Sequence, residues 1–150
     1  MATIPRVLIK KGTDAVKDIF TTYGLRTSKY PYILKPVQKN VATRKYYDQD
    51  GDYEFMPTTP KYEALEFVVG FAYKGAVNGA DTYIKNFLDY VVGSEITIYS
   101  EFTKTGRAKC RVTSDITDSK FFRAGKDIVE FDITFKTNDP NTNTSLTLTV

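Results

Sequence analysis

From Val129 to Lys136 the sequence alternates without interruption: Val129, Phe131, Ile133 and Phe135 interleave with Glu130, Asp132, Thr134 and Lys136. A period of two turns one side of an extended chain apolar and the other polar, so such a strand buries one face and leaves the other to water. A second run repeats the pattern, with Leu65, Phe67, Val69, Phe71 and Tyr73 alternating with Glu66, Val68, Gly70 and Ala72. Two long half-buried strands commit the chain to a β-sheet with a single apolar side, and the sheet must curl or pack to cover it.

The remaining pattern supplies shorter elements. Arg6 to Lys10 reads as a first strand, and Gly12-Thr13-Asp14 as a turn capping a short helix over Ala15–Phe20, with Val16, Ile19 and Phe20 on one face. Asp81 is placed to cap a helix running to about Val92, whose Ile84, Phe87, Leu88 and Val91 fall at i, i+3, i+4 and i+7, with Gly93 at the left-handed end. Strands are expected at Glu95–Phe102 and Arg107–Thr113, joined by a turn at Thr103–Gly106. In the latter strand Ala108, Cys110 and Val112 oppose Arg107, Lys109 and Arg111. Ser114 to Lys126 has no period, Asn138–Asn141 is a break, and Leu146, Leu148 and Val150 suggest a last strand. Because the late strands follow one another directly, antiparallel hairpins are favoured over crossovers. The expected fold is mainly β (α+β): an antiparallel β-sandwich or split barrel with one packed α-helix and a long extended arm. At 150 residues the chain is one domain, 1–150.

The arm is the stretch at about 23–60. It holds Pro31, Pro36, Pro57 and Pro60, four of the six prolines, and interleaves Lys29, Lys35, Lys39, Arg44 and Lys45 with Tyr30, Tyr32, Tyr46 and Tyr47. Nearly forty residues without a sustained period are uncommon inside a compact domain, while the aromatic content argues against disorder. The reading is an extended arm or long hairpin that gains burial from a neighbouring chain, with Tyr30, Tyr32, Tyr46, Tyr47, Tyr53 and Phe55 as its contact residues.

Composition thins the functional classes. Histidine is absent, which removes the commonest general base and the commonest metal ligand. The lone Cys110 has no histidine to activate it and sits in an expected strand, so it reads as a small buried hydrophobe. Asp48, Asp50 and Asp52 around Gly51 fail the calcium-loop spacing, since the sixth and twelfth positions from Asp48 are Tyr53 and Thr59; a turn is the better reading. The carboxylate pairs Asp115/Asp118 and Glu130/Asp132 lack a pocket that would shift a pKa, and Glu130/Asp132 share a strand's solvated face. The glycines form no phosphate-binding loop. No catalytic residue, cofactor or metal is expected. A net charge of +3 is too small to imply nucleic-acid binding; Arg107, Lys109 and Arg111 could meet phosphates, but pairing with carboxylates on the next strand, a solvated face or an edge-protecting one is at least as good a reading. The apolar run Val7–Ile9 is too short for an export signal, and 18 consecutive apolar residues occur nowhere.

The order of segments resembles the small tail proteins of tailed bacteriophages, the tail-tube and distal-tail (tail-to-baseplate adaptor) group. The resemblance is carried by DAVKDIFTTYGL at Asp14–Leu25, YYDQDGDYEF at Tyr46–Phe55, ALEFVVGFAYKG, TYIKNFLDYVVG, the strands from Glu95 to Thr113, and DIVEFDITFKTNDP at Asp127–Pro140. It implies a structural virion protein with no catalytic residues, a β-sandwich or split barrel with a flanking helix and a long loop. It also implies rings, in tube, distal tail or collar, around the channel through which DNA passes. The implied partners are further copies of the chain and neighbouring tail, baseplate or collar proteins. The implied location is the virion tail, after assembly in the host cytoplasm. The competing class is a stand-alone β-sandwich module that recognises carbohydrate or peptide through tyrosine-rich loops. Mass in solution separates the two, because an assembly subunit multiplies and a module stays monomeric.

Overall fold

The two alternating segments lie side by side in the computed structural model, which describes residues 6–32, 35–113, 117–123 and 125–148. β6 (Leu65–Gly75) and β10 (Lys126–Thr137) pair antiparallel along their lengths, with Phe67 opposite Phe135, Val69 opposite Ile133, Phe71 opposite Phe131 and Tyr73 opposite Val129. All eight of these side chains are buried. The expected period is therefore observed on both strands and in a register that stacks apolar on apolar.

Around this pair the sheet curls into a half-barrel, mainly β and antiparallel, in the order β2-β1-β7-β8-β10-β6-β3. The flanking members are β1 (Val7–Lys11), β2 (Lys17–Asp18), β3 (Leu25–Lys29), β7 (Ile96–Ser100) and β8 (Thr105–Val112). One edge of β10 serves β6 throughout. The other is divided between β9 (Thr117–Arg123), which takes Lys126–Asp132, and β8, which takes Phe135–Thr137. Helix α2 (Gly79–Val91) lies over the apolar concavity, sinking Ala80, Phe87 and Val91. Phe87 meets Phe71 edge-on at 5.0 Å and Tyr23 at 5.3 Å, the preferred geometry for rings whose faces are negative and edges positive.

Several boundaries differ from the sequence reading. The short helix is α1 (Ile19–Tyr23), not Ala15–Phe20, because Lys17 and Asp18 are taken by pairing with Ile9 and Leu8. Asp18 then caps it, its carboxylate accepting from the Phe20 amide at 3.0 Å and the Thr21 hydroxyl at 3.1 Å. Gly24 closes it at φ 67, a left-handed turn that glycine adopts without a Cβ clash. In α2 the N-cap is Asn78 rather than Asp81. The Asn78 amide donates at 2.7 Å to the buried Asp127 carboxylate on β10, so a tertiary partner replaces the side-chain cap. Ser114–Lys126, expected to be irregular, contains β9, whose TDSKFFR sequence carries no alternation to announce it. The turn before β8 lies at Glu101–Lys104, with Lys104 at φ 54, and Gly106 belongs to the strand.

The strand Arg107–Thr113 is not the simple two-faced ribbon its sequence suggests. Ile96 lies opposite Cys110 but Ile98 opposite Arg107, so two steps on β7 meet three on β8. Lys109, at φ 56, takes the extra residue of this bulge. Before the bulge the phase is reversed, and Arg107 turns inward to 5% exposure while Lys109 and Arg111 stay in solvent. Its guanidinium donates to the carbonyl oxygens of Gly106 at 2.8 Å and Pro140 at 3.1 Å. The three bases expected on one face are therefore split between the two.

The expected strand at Leu146–Val150 is also absent as far as it is described. Residues 138–148 are non-regular, and 149 and 150 lie outside the described residues. This tail is fixed to β8 by single bonds rather than a ladder: Gly106 N donates to Asn143 Oδ1 at 2.9 Å, and Thr144 N to the Gly106 carbonyl at 3.1 Å.

Candidate functional site

The segment 37–63 is a long hairpin. At its root Lys39 N donates to the Lys61 carbonyl and Glu63 N to the Val37 carbonyl, both at 2.8 Å, with a bridge between Gln38 and Tyr62. Beyond the root, β4 (Ala42–Lys45) and β5 (Asp52–Phe55) form a separate two-stranded sheet, pairing Arg44 with Tyr53 and Ala42 with Phe55. The tip carries the Asp48–Asp52 acids on a turn with Gly51 at φ 74, as the Asp-Gly pair suggests.

No residue from Ala42 to Phe55 is buried. Pairing places Ala42, Arg44, Tyr53 and Phe55 on one side of the ribbon, and Tyr46 joins them by contact. The Tyr53 ring meets Tyr46 at 6.4 Å and Phe55 at 4.8 Å, both edge-on, and Arg44 sits over Tyr46 at 5.5 Å. These rings stay 39–53% exposed, an aromatic cluster with one face packed on itself and the other in water. Asp52 and Glu54 occupy the opposite side.

The six arm residues expected from sequence thus divide. Tyr46, Tyr53 and Phe55 come together on the hairpin, while Tyr47 stands fully exposed at its tip and Tyr32 is exposed before its root. Tyr30 belongs to the body: it packs on Phe67 at 6.5 Å, its hydroxyl donates to the Thr105 carbonyl at 3.0 Å, and burial raises its pKa well above the ordinary tyrosine range. Its position one residue past β3 explains the difference, because the expected arm from residue 23 begins with a strand of the main sheet.

A second feature had no signal in the sequence. The half-barrel is open between β3 on one side and, on the other, the end of the β1–β7 pair where Val7 faces Ser100, leaving a slot of about 1000 Å³. Val7, Ile19, Leu25 and Tyr30 provide apolar lining, and Arg6, Arg26 and Lys29 stand among the polar residues around it. Arg6 is fixed by Glu101, Nη2 to Oε1 at 2.9 Å, and that hydrogen bond holds its guanidinium pKa above the usual value. Lys29 pairs with Asp132 at 3.0 Å. Arg26 stacks on Phe20 at 5.0 Å and, among the described residues, has no carboxylate partner. The hydroxyls of Thr27 and Thr103, two residues of the slot wall, are sealed from solvent and have no hydrogen-bond partner among the described residues. Residues from four separated stretches build this slot, so no local motif could have revealed it.

No family model matches the chain, and no curated protein matches it. A solved structure does. The fold is similar to that of the Dit protein (gp 19.1) of phage SPP1, described as a paradigm of the hub adsorption apparatus in phages infecting Gram-positive bacteria. The match covers 92% of this chain at a TM-score of 0.53 and 14% identity, so it is a likeness of fold. This chain spans 51% of the Dit chain.

Other sequence candidates have ordinary environments. Cys110 is fully buried and its thiol donates to the Arg107 carbonyl at 3.3 Å. Burial pushes the thiol from 9.0 up to about 12, with Thr137 and Arg107 pulling the other way. Since only the thiolate is nucleophilic, the native protein should resist a thiol-alkylating reagent at pH 8 while the urea-unfolded chain reacts promptly. Equal rates in the two states would contradict this burial. The folded thiol holds its proton more tightly than the unfolded one. Its contribution to stability is therefore complete below the unfolded value and is lost as pH rises towards about 12. Among the described residues no helix is long and apolar enough to cross a membrane, and no group of three or more acidic or cysteine side chains is placed to hold a metal.

Proposed function

We propose that the protein is a non-enzymatic structural component of a bacteriophage tail, forming a ring at the hub or adaptor level of the tail. The observation that carries this reading is the similarity of nearly the whole chain to the Dit fold. The exposed aromatic hairpin supports it. A surface of this kind suits burial between subunits, where apolar area is worth roughly 25 cal/mol per Å² before ordering costs. Rings are built from heterologous contacts, in which one surface of each subunit meets a different surface of the next. In this reading the partners are further copies of the chain and the tail, baseplate or collar proteins above and below, and DNA passes through the lumen without sequence recognition. The protein assembles in the host cytoplasm and resides in the virion. Tail tube and collar are the alternative stations for the same ring.

Native mass spectrometry of the purified protein across a concentration series, followed by negative-stain imaging of high-mass species, tests the reading. Closed rings or short tubes with a fixed subunit count are expected. A strict monomer at the highest concentration, binding an oligosaccharide or peptide instead, would replace the proposal with a stand-alone binding module.

A further inference from the structure

We infer that the slot between β3 and the end of the β1–β7 pair is the receptor for the hairpin of a second copy of this chain. This rests on the ring reading above and names the two surfaces that meet.

Two properties of the slot call for an extended guest. First, β3 is the end strand of its sheet and pairs only with β6 among the described residues, so its outer side presents backbone N–H and C=O groups able to accept another strand. Second, the lining beside it is largely apolar, with room for aromatic side chains.

The hairpin offers the matching chemistry. β5 is the last strand of its small sheet, with Tyr53 and Phe55 projecting to one side and Asp52 and Glu54 to the other. From Tyr46 to Phe55 the chain has four carboxylates and no basic residue. Among the described residues none of these acids forms an ion pair. The slot presents Arg26, which also lacks a carboxylate partner there. Strand lengths agree: the four residues of β5 span about 13 Å and the five of β3 about 17 Å. Hairpin and slot are different surfaces, so the contact is heterologous and repeats from copy to copy, as a closed ring requires.

The test uses two single variants of the full chain, Ser28→Cys, at an exposed position of the slot lining, and Tyr53→Cys, each first shown by circular dichroism to melt like the wild type. Cys110 is buried and stays silent. Mixed under mild oxidation, the two should give a disulfide-linked dimer that neither gives alone. In parallel, Arg26→Glu and Glu54→Arg should each shift the assembly midpoint at least tenfold to higher concentration, and mixing them should restore much of the loss through the reversed pair. If the wild type assembles but no mixed disulfide forms and neither charge reversal alters assembly, the slot is not the receptor and the ring reading stands. If a chain carrying Ser28→Cys and Tyr53→Cys together instead closes a disulfide within itself, the hairpin folds back on its own slot and the inference fails. A wild type that stays monomeric overturns this inference and the ring reading together.

Discussion

Phe71→Ala should lower the stability of the folded chain by about 3–5 kcal/mol, the range for removing a buried phenylalanine. Phe71 has no exposed surface, stacks on Phe131 across the β6–β10 pair at 5.5 Å, and receives the edge of Phe87 from α2 at 5.0 Å. Truncation leaves both neighbouring rings facing a void that the central strands and helix, fixed in register, cannot collapse to fill. Domains of this kind are stable by only about 5–15 kcal/mol, so this one side chain represents a large part of the whole. A urea titration followed by circular dichroism reads the effect as a lower midpoint at unchanged slope. Phe20, half-exposed beside the slot, is the control, and Phe20→Ala should shift the midpoint far less. Equal losses at the two positions would mean that the core is not where the sheet places it.

Removing the hairpin should have the opposite profile: assembly lost, fold kept. Replacing Asn40–Pro60 with a short Gly-Ser turn joins Lys39 to Lys61, whose backbones already bond across the hairpin root. Nothing from Ala42 to Phe55 is buried, so the body loses none of its core and its unfolding free energy from a urea titration should stay within about 0.5 kcal/mol of the wild type. The aromatic cluster and all four acids leave together, and the high-mass species should disappear from the native mass spectrum. Rings that persist in this variant would remove the hairpin from the assembly.

How much of this was legible beforehand depends on whether the signal was local. Phe67, Phe71, Phe131 and Phe135 announced themselves because a half-buried strand writes its burial into every second residue, and Phe87 and Val91 because a helix writes it into every third or fourth. α1 begins later than its sequence predicts because Lys17 and Asp18 pair with Ile9 and Leu8, eight and ten positions earlier, which outweighs Asp14 as a cap. Arg107 was put on the wrong face because a single bulge at Lys109 reverses the phase, and nothing in RAKCRV marks the extra residue. The tail after Pro140 alternates like a strand yet, among the described residues, is hydrogen-bonded to β8 and its preceding turn through Asn143 and Thr144 rather than through a ladder. At the candidate site, Tyr46, Tyr53 and Phe55 were legible as aromatics without a core of their own. Tyr30 was not distinguishable from them, since its burial is supplied by Phe67 and Thr105. The slot was invisible, because only the closing of the sheet brings Val7, Leu25 and Thr103 together.

The sharing of β10 between two neighbours along one edge has a consequence for how the chain is made. Among the described residues the sheet joins β6 to β8 only through this strand, and its first contact with β6 joins Asp127 to Gly75 across the whole of α2, β7, β8 and β9. Pairings so distant in sequence form slowly, since the intervening loop must close before any contact repays it. During synthesis on the ribosome the edge of β6 that β10 fills therefore stays unpaired, and Phe67, Phe71 and Tyr73 lack their cross-strand partners, until residues beyond 126 have emerged. A chain released before that point has two unjoined half-sheets and no centre, the kind of species that chaperones and proteases remove.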